Sequence, residues 1–294
     1  MSPMVAAVAA SHAPNMLLEP GRETDEFMAF HYTMAPANDH GVVSHADQQK
    51  LAEDLERLFL PLRAALDEAQ PDVLIVIAND QFVNFFFNNI PTFCLGIGDA
   101  TEGQFTRHHF RYAIDSNLAR ALLSSLVDGG FDMAFSQQLM LEHTQVVPLH
   151  FLLGERSLPI VPLFVNTWVD PVPSPRRCYQ LGQALARALN LRPERIALLA
   201  TGGLSHFPGS PRIGQVEESF DGMLLEHLRE GRGSALADLE LAQLREAGNT
   251  EFLNWMVLLG AVGTAPAAVG YRPDGVATGL GFATFDLTPS AVAG

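Results

Sequence analysis

Ten histidines are spread along this chain, and where they fall relative to short apolar runs matters more than their number. His12 directly follows the run Val5–Ala10, and His206 follows Ile196–Ala200 through the turn Thr-Gly-Gly-Leu-Ser. Asn79-Asp80-Gln81 leaves the run Asp72–Ala78 in the same way. His143 stands in Leu-Glu-His-Thr at 141–144, just before a helical pattern, and Glu251 opens the apolar segment Phe252–Val262. If His12 and Glu251 converge, they supply an imidazole and a carboxylate, two members of a 2-His-1-carboxylate triad that leaves positions open on Fe(II). A second imidazole is then required. Gln81 occupies the natural strand-end position for it, while His40 and His45, with His31, lie in or next to a polar segment nearby. His143 and His206 would be left as acid–base groups, because imidazole titrates near neutral pH. Each residue also has a plainer role. A strand-end His can simply bond backbone, His143 can cap a turn, Glu251 can complement a helix N-terminus, and Gly202-Gly203 can be a tight turn that needs positive φ.

Residues so far apart in sequence meet only if strands deliver them to one rim. The strand-like runs are Val5–Ala10, Asp72–Ala78, Phe93–Ile97, Pro159–Val165, Ile196–Ala200 and Leu280–Phe285. Amphipathic stretches alternate with them, which predicts an α/β layered domain, a mixed sheet flanked by helices, spanning 1–294 as one unit. A helix is expected from near Ser44, with Leu51, Leu55, Leu58, Phe59, Leu62 and Leu66 on one face and Pro61 kinking or splitting it. Further helices are expected over Ser116–Val127, Val147–Leu153, Pro175–Asn190 and Gly214–Glu230, with two more between Ala235 and Gly263. Leu17–Val43 has no sustained period and reads as a long functional loop. In such sheets the carboxyl ends of the strands form the ligand crevice, which is where His12, Gln81 and His206 fall.

Composition narrows the function classes. The chain has 294 residues and a formal charge of −15, from 33 acidic and 18 basic side chains. That balance repels phosphate backbones and anionic headgroups, so neither nucleic acid nor a membrane is expected as a partner. Cys94 and Cys178 are too few for a disulfide framework, which points to a reducing cytoplasm. The apolar start at Met4–Ala10 lacks a basic flank, and Trp255–Gly270 is shorter than the ~20 residues a span needs. No GxSxG, HExxH, CxxC, GxGxxG or Walker pattern is present, which removes the usual serine-hydrolase, zinc and nucleotide signatures. Arg107, His108, His109 and Arg111 form a basic spot that reads as a solvated loop face, or as a receiver for an anionic substrate.

Several motifs occur together in a fixed order. They are Ser-His-Ala-Pro at 11–14, Asn-Asp-Gln at 79–81 followed by Asn84-Phe85-Phe86, Ile-Pro-Thr-Phe-Cys-Leu-Gly at 90–96 and Glu-His-Thr at 142–144. Arg-Cys-Tyr-Gln-Leu-Gly at 177–182, Thr-Gly-Gly-Leu-Ser-His at 201–206, and Glu251 four residues before Trp255 complete the set. In this the chain resembles the type III extradiol ring-cleaving dioxygenases, whose members include the β subunit of protocatechuate 4,5-dioxygenase and gallate dioxygenase. The resemblance implies Fe(II), a small catecholic (protocatechuate- or gallate-like) substrate and O2, and a homo-oligomer. It implies His12 and Glu251 as metal ligands, His206 as base on the substrate hydroxyl, and His143 as a second histidine for proton transfer or substrate orientation. Gln81 stands where the family has its second imidazole ligand. Its amide oxygen is a weaker donor for Fe(II). Three outcomes are therefore expected: Gln81 binds weakly, His45 (preferred over His40 and His31) replaces it, or the site is metal-poor. The last would leave a phenol-binding homologue without ring cleavage. A metal-dependent hydrolase on the same scaffold is a further alternative.

Overall fold

The computed structural model describes residues 3–17, 45–105, 108–263, 265–273, 278–285 and 287, with side chains from 49 onward in the first long helix. The expected strands all form, and short apolar runs with both faces covered account for them: β1 (Met4–Ala10), β2 (Val73–Ala78), β7 (Ile160–Val165) and β8 (Ile196–Thr201) have almost wholly buried side chains. These four make a parallel centre in the order β7-β2-β8-β1. Antiparallel neighbours extend it. On one side are β10 (Gly279–Phe285) and β9 (Pro266–Pro273); on the other are β3 (Phe93–Gly96), antiparallel to β7, and then β6 (Ala134–Ser136). The result is a mixed sheet, as expected.

Helices cover both faces. On one side lie α1 (His45–Ala69) and α3 (His143–Leu153). On the other lie α2 (Ser116–Asp128), α4 (Pro175–Leu189), α5 (Glu218–Arg229), α6 (Leu241–Glu246) and α7 (Phe252–Val262). Of the two expectations for Pro61, that it splits the first helix is corrected, because α1 runs through it. Pro61 lies on the exposed face, where water can take the carbonyl it leaves unpaired. Leu55, Phe59, Leu62 and Leu66 meanwhile bury the opposite stripe on both sides of it. Among the described residues no helix is long and apolar enough to cross a membrane.

The basic spot is also relocated. His108, His109 and Arg111 belong to β5 (His108–Ala113), which pairs with β4 (Ala100–Phe105) as a separate hairpin. His109 and Arg111 are exposed, while the His108 ring lies 5.7 Å from that of His150 on α3. Arg107 lies outside the described residues. So do His31 and His40, the segment 18–44, and the side chain of His45, the first residue of α1.

Register places the functional edge. Ala10 pairs with Thr201 and Ile77 with Ala200, so the residues following β1, β2 and β8 leave the sheet at one level. Helix α7, which begins just after Glu251, is fixed there by close contact with α4. A Cβ on Gly182 would stand 2.0 Å from the Val257 carbonyl oxygen, and one on Gly260 2.0 Å from that of Tyr179. Neither obstacle is a flexible side-chain end, so the helices themselves would have to separate. We expect Gly260→Ala to destabilise the fold by about 2 kcal/mol, within the range for overpacking, as read from denaturant midpoints. Unchanged stability would mean that the two helices are not held this closely.

Candidate active site

The Glu251 side chain is wholly buried at the N-terminal end of α7. Its Oε1 accepts from the Asn79 amide (3.2 Å) and the Gln81 amide (3.0 Å), and its Oε2 accepts from the Gly203 backbone N–H (3.0 Å). Two imidazoles face the same Oε2. His12 Nε2 is 2.9 Å away and His206 Nε2 3.6 Å away. Each ring is tied at its other nitrogen. His12 Nδ1 meets Thr201 Oγ1 at 3.1 Å, and His206 Nδ1–H donates to the Leu204 carbonyl at 2.8 Å, which leaves His206 Nε2 as the unprotonated position of its neutral form. Burial pushes the Glu251 carboxyl up, but the His12 and His206 imidazoles override this and hold it well below the usual carboxylate range. For His206, burial is the largest single influence and pushes down, but the charge and contact of Glu251, the Leu204 carbonyl and the charge of Asp221 together outweigh it, so its pKa is raised.

Local backbone explains why these loops deliver such contacts. Gly202 has φ +139°, a conformation L side chains rarely adopt, and a Cβ there would lie 2.9 Å from the Glu251 carbonyl oxygen. Its own carbonyl accepts from Trp255 Nε1 (3.3 Å) on α7. Behind the turn, buried Asp221 on α5 accepts from the Ser205 N–H (3.0 Å), the Ser205 hydroxyl (2.7 Å), the Asn249 amide (3.0 Å) and the Tyr271 hydroxyl (2.9 Å). Asn254 on α7 donates to Asn79 Oδ1 at 3.0 Å, completing the support of the Asn79–Gln81 turn.

The second histidine sits across the rim. Glu142 and Gln145 form the capping box that starts α3, four residues earlier than the apolar pattern indicated. Glu142 also accepts from the Gln81 backbone N–H (3.1 Å), and its Oε2 lies 3.0 Å from His143 Nδ1. The His143 ring is 5.7 Å from that of His12 and 5.6 Å from that of Phe105 on the hairpin.

The structure thus brings together His12, Glu251, His206, His143 and Gln81, although Gln81 turns its amide N–H, not its oxygen, toward Glu251. A carboxylate offers only acceptors, so that orientation follows from chemistry. The side chain of His45 lies outside the described residues. Among the described residues no group of three or more His, Cys, Asp or Glu is disposed to hold a metal ion. Two donors nevertheless suit one. His12 Nε2 is buried and stands 2.9 Å from Glu251 Oε2, so an imidazole nitrogen and a carboxylate oxygen face one point that a cation could occupy in place of a proton. Asp221 was missed in the sequence. Its signal is an acid at the apolar stripe of Leu224, Leu225 and Leu228, spacing that would otherwise call for a fourth apolar residue.

Fold and site together define an α/β protein with a buried His/Glu centre at the carboxyl ends of its parallel strands. Over residues 7–276 the chain matches the family described as "Catalytic LigB subunit of aromatic ring-opening dioxygenase", and it belongs to that family. It is 31% identical over 179 residues (60% of this chain, 57% of the relative) to a 2,3-dihydroxyphenylpropionate/2,3-dihydroxicinnamic acid 1,2-dioxygenase of Klebsiella pneumoniae subsp. pneumoniae. With the enzyme of that name from Photorhabdus laumondii subsp. laumondii it is 30% identical over 192 residues (65% and 59%). The match thus spans less than two thirds of these relatives' own length. A solved structure of an uncharacterized protein from Escherichia coli K12 has the same fold, with a TM-score of 0.58 at 13% identity, covering 96% of this chain and 99% of that one.

The paired shifts predict opposite pH dependences in metal-free protein. His206, raised in the fold, contributes stability that is complete below its unfolded value of about 6.5 and lost as pH rises through its folded value. Glu251, depressed, contributes stability present above the ordinary carboxylate range and lost as pH falls through its folded value. In Glu251→Gln burial is opposed only by the Leu204 carbonyl and the charge of Asp221, so the NMR titration of His206 should move down from its wild-type position. A His206 titration unaltered by that substitution would show that the two groups do not interact.

Proposed function

We propose that this chain catalyses extradiol cleavage of a catecholic aromatic by O2, with Fe(II) as its metal and His206 as the base on the substrate hydroxyl. The observation that carries this reading is the convergence of His12 Nε2 and His206 Nε2 on Glu251 Oε2, in a chain of the ring-opening dioxygenase family. Fe(II) would be held by His12 and Glu251. His45 is the preferred third donor, because Gln81 can serve only if its amide turns over from its bond to Glu251. When bound, Fe(II) supplies open coordination positions and the redox chemistry that lets O2 react with a catechol.

The chain's own residues handle charge and protons. Glu251 stays ionised, fixed by the Asn79 and Gln81 amides and the Gly203 N–H. His206 presents Nε2 to the site because Leu204 holds its Nδ1–H, so it can take a phenolic proton there, and Glu251 nearby stabilises the imidazolium that results. His143, oriented through Nδ1 by Glu142, lies on the opposite side to orient the substrate or return a proton. In the net reaction the ring bond beside the diol breaks and both atoms of O2 enter a muconic semialdehyde type of product. Catechol, protocatechuate, gallate and 2,3-dihydroxyphenylpropionate are the compounds to assay. The resemblance supports a homo-oligomer, and two cysteines, too few for a disulfide framework, favour a reducing cytoplasm.

A second reading has its own observation. Gln81 uses its N–H to bind Glu251, a contact that serves a metal-free pocket as well as a loaded one, and favours a phenol-binding protein without turnover. Iron analysis of protein purified without oxygen separates the two. We expect His206→Ala to keep its iron while turnover in an oxygen electrode falls by about 100-fold or more, as for loss of a general base. Wild-type turnover in that variant would overturn the assignment. We also expect His45→Ala to lose iron where Gln81→Ala retains it; the reverse pattern makes Gln81 the ligand.

A further inference from the structure

Asp221, on α5, is wholly buried and takes no part in the chemistry assigned to the site. Its Oδ1 accepts from the Ser205 N–H (3.0 Å) and the Asn249 amide (3.0 Å), and its Oδ2 accepts from the Ser205 hydroxyl (2.7 Å) and the Tyr271 hydroxyl (2.9 Å). The Ser205 hydroxyl accepts in turn from the Glu217 N–H (2.7 Å), which commits its own proton to Asp221. A carboxylate has only acceptors to offer and so serves all four donors, whereas an amide in its place would turn an N–H toward two of them. Burying a carboxylate on neutral donors is costly, and the stripe of Leu224, Leu225 and Leu228 would accept an apolar residue here instead. Packing of α5 therefore does not account for Asp221.

The segments it joins carry the reactive groups. Ser205 directly precedes His206, and Asn249 stands two residues before Glu251. The His206 N–H donates to the Gly248 carbonyl (3.0 Å), and the Asn249 carbonyl accepts from the Phe252 N–H (3.1 Å), so a shift of either turn is passed to the side chain that follows it. Room for the carboxylate is kept by Gly279, whose N–H donates to the Ser205 carbonyl (2.9 Å) and whose Cβ, if it had one, would stand 2.4 Å from Asp221 Oδ2. We propose that Asp221 is a positioning residue for ring cleavage: by holding the Ser205 and Asn249 turns on one carboxylate, it sets the 3.6 Å separation of His206 Nε2 from Glu251 Oε2, and with it the point where the phenolic proton is taken. Its loss leaves the metal donors and the base in the chain and acts on their spacing. A misplacement of 1 Å is enough to slow such a step by about 100-fold. The kinetic part of this inference rests on the ring-cleavage reading; the structural part does not.

Two variants provide the test. Asp221→Asn keeps the shape of the side chain, and Tyr271→Phe removes one of the four donors from half-buried β9, so the second decides alone by the same readings if the first does not fold. In iron-loaded protein we expect kcat to fall by about 100-fold in Asp221→Asn and about five-fold in Tyr271→Phe, with KM within about two-fold of wild type and iron content unchanged. A role in fold stability alone would not divide kcat from KM in this way. In metal-free protein the His206 Nδ1–H, held by the Leu204 carbonyl, should exchange with water about ten-fold faster in each variant, read by NMR, because the turn that carries it is loosened. Wild-type kcat in both variants, wild-type exchange in both, or a loss of kcat that only follows lost iron or a raised KM would overturn the proposal. Faster exchange in the variants of a protein whose wild type cleaves no catechol would uphold the positioning of His206 by Asp221 and remove the ring-cleavage reading instead.

Discussion

An ionised carboxylate with no solvent exposure is the constraint around which the rim of this sheet is built. Taking such a group out of water costs several kcal/mol even after relaxation, and the cost must be met by donors and positive partners close at hand. For Glu251 these come from the ends of three neighbouring strands: His12 after β1, Asn79 and Gln81 after β2, and Gly203 and His206 after β8. Removing any one weakens the case for keeping the charge. Charge and topology therefore depend on each other, since only strands in the order β2-β8-β1 bring all these groups within reach.

The helix behind the carboxylate serves the same end. Helix α7 is apolar around almost its whole circumference and buried along nearly its full length, so its position is set by packing and not by solvent. The Gly182 and Gly260 contacts seat it on α4, and Trp255 and Asn254 connect it to the two turns that hold Glu251. A displacement of this helix would reach the site directly, because the carboxylate stands at its first turn.

Much of this arrangement was legible in the sequence, for identifiable reasons. Central strands buried on both faces read as continuous apolar runs, and polar residues just past their ends stand out, which is why His12, Gln81 and His206 are legible, while Glu251 shows as an acid opening the apolar segment Phe252–Val262. Less could be read where the determining contacts are remote. Pro61 looked like a break because a helix in isolation would suffer from it, whereas the stripe from Leu55 to Leu66 holds both halves against the sheet. The hairpin β4–β5 is half-exposed, and its strands of mixed polarity lack the apolar signature; the close approach of Gly103 to the Leu141 carbonyl, which docks it, is a long-range fact. The orientation of the Gln81 amide was equally beyond reach, since it is decided by a residue 170 positions away.

Asp221 touches neither imidazole nor Glu251, yet it ties the Ser205 turn, the Asn249 turn and strand β9 to helix α5. The scaffold is in effect braced from behind. A brace so placed sets the distance between His206 and Glu251 through the turns that carry them, not through contact with either. Loss of the brace would therefore disturb the reactive groups without removing any of them.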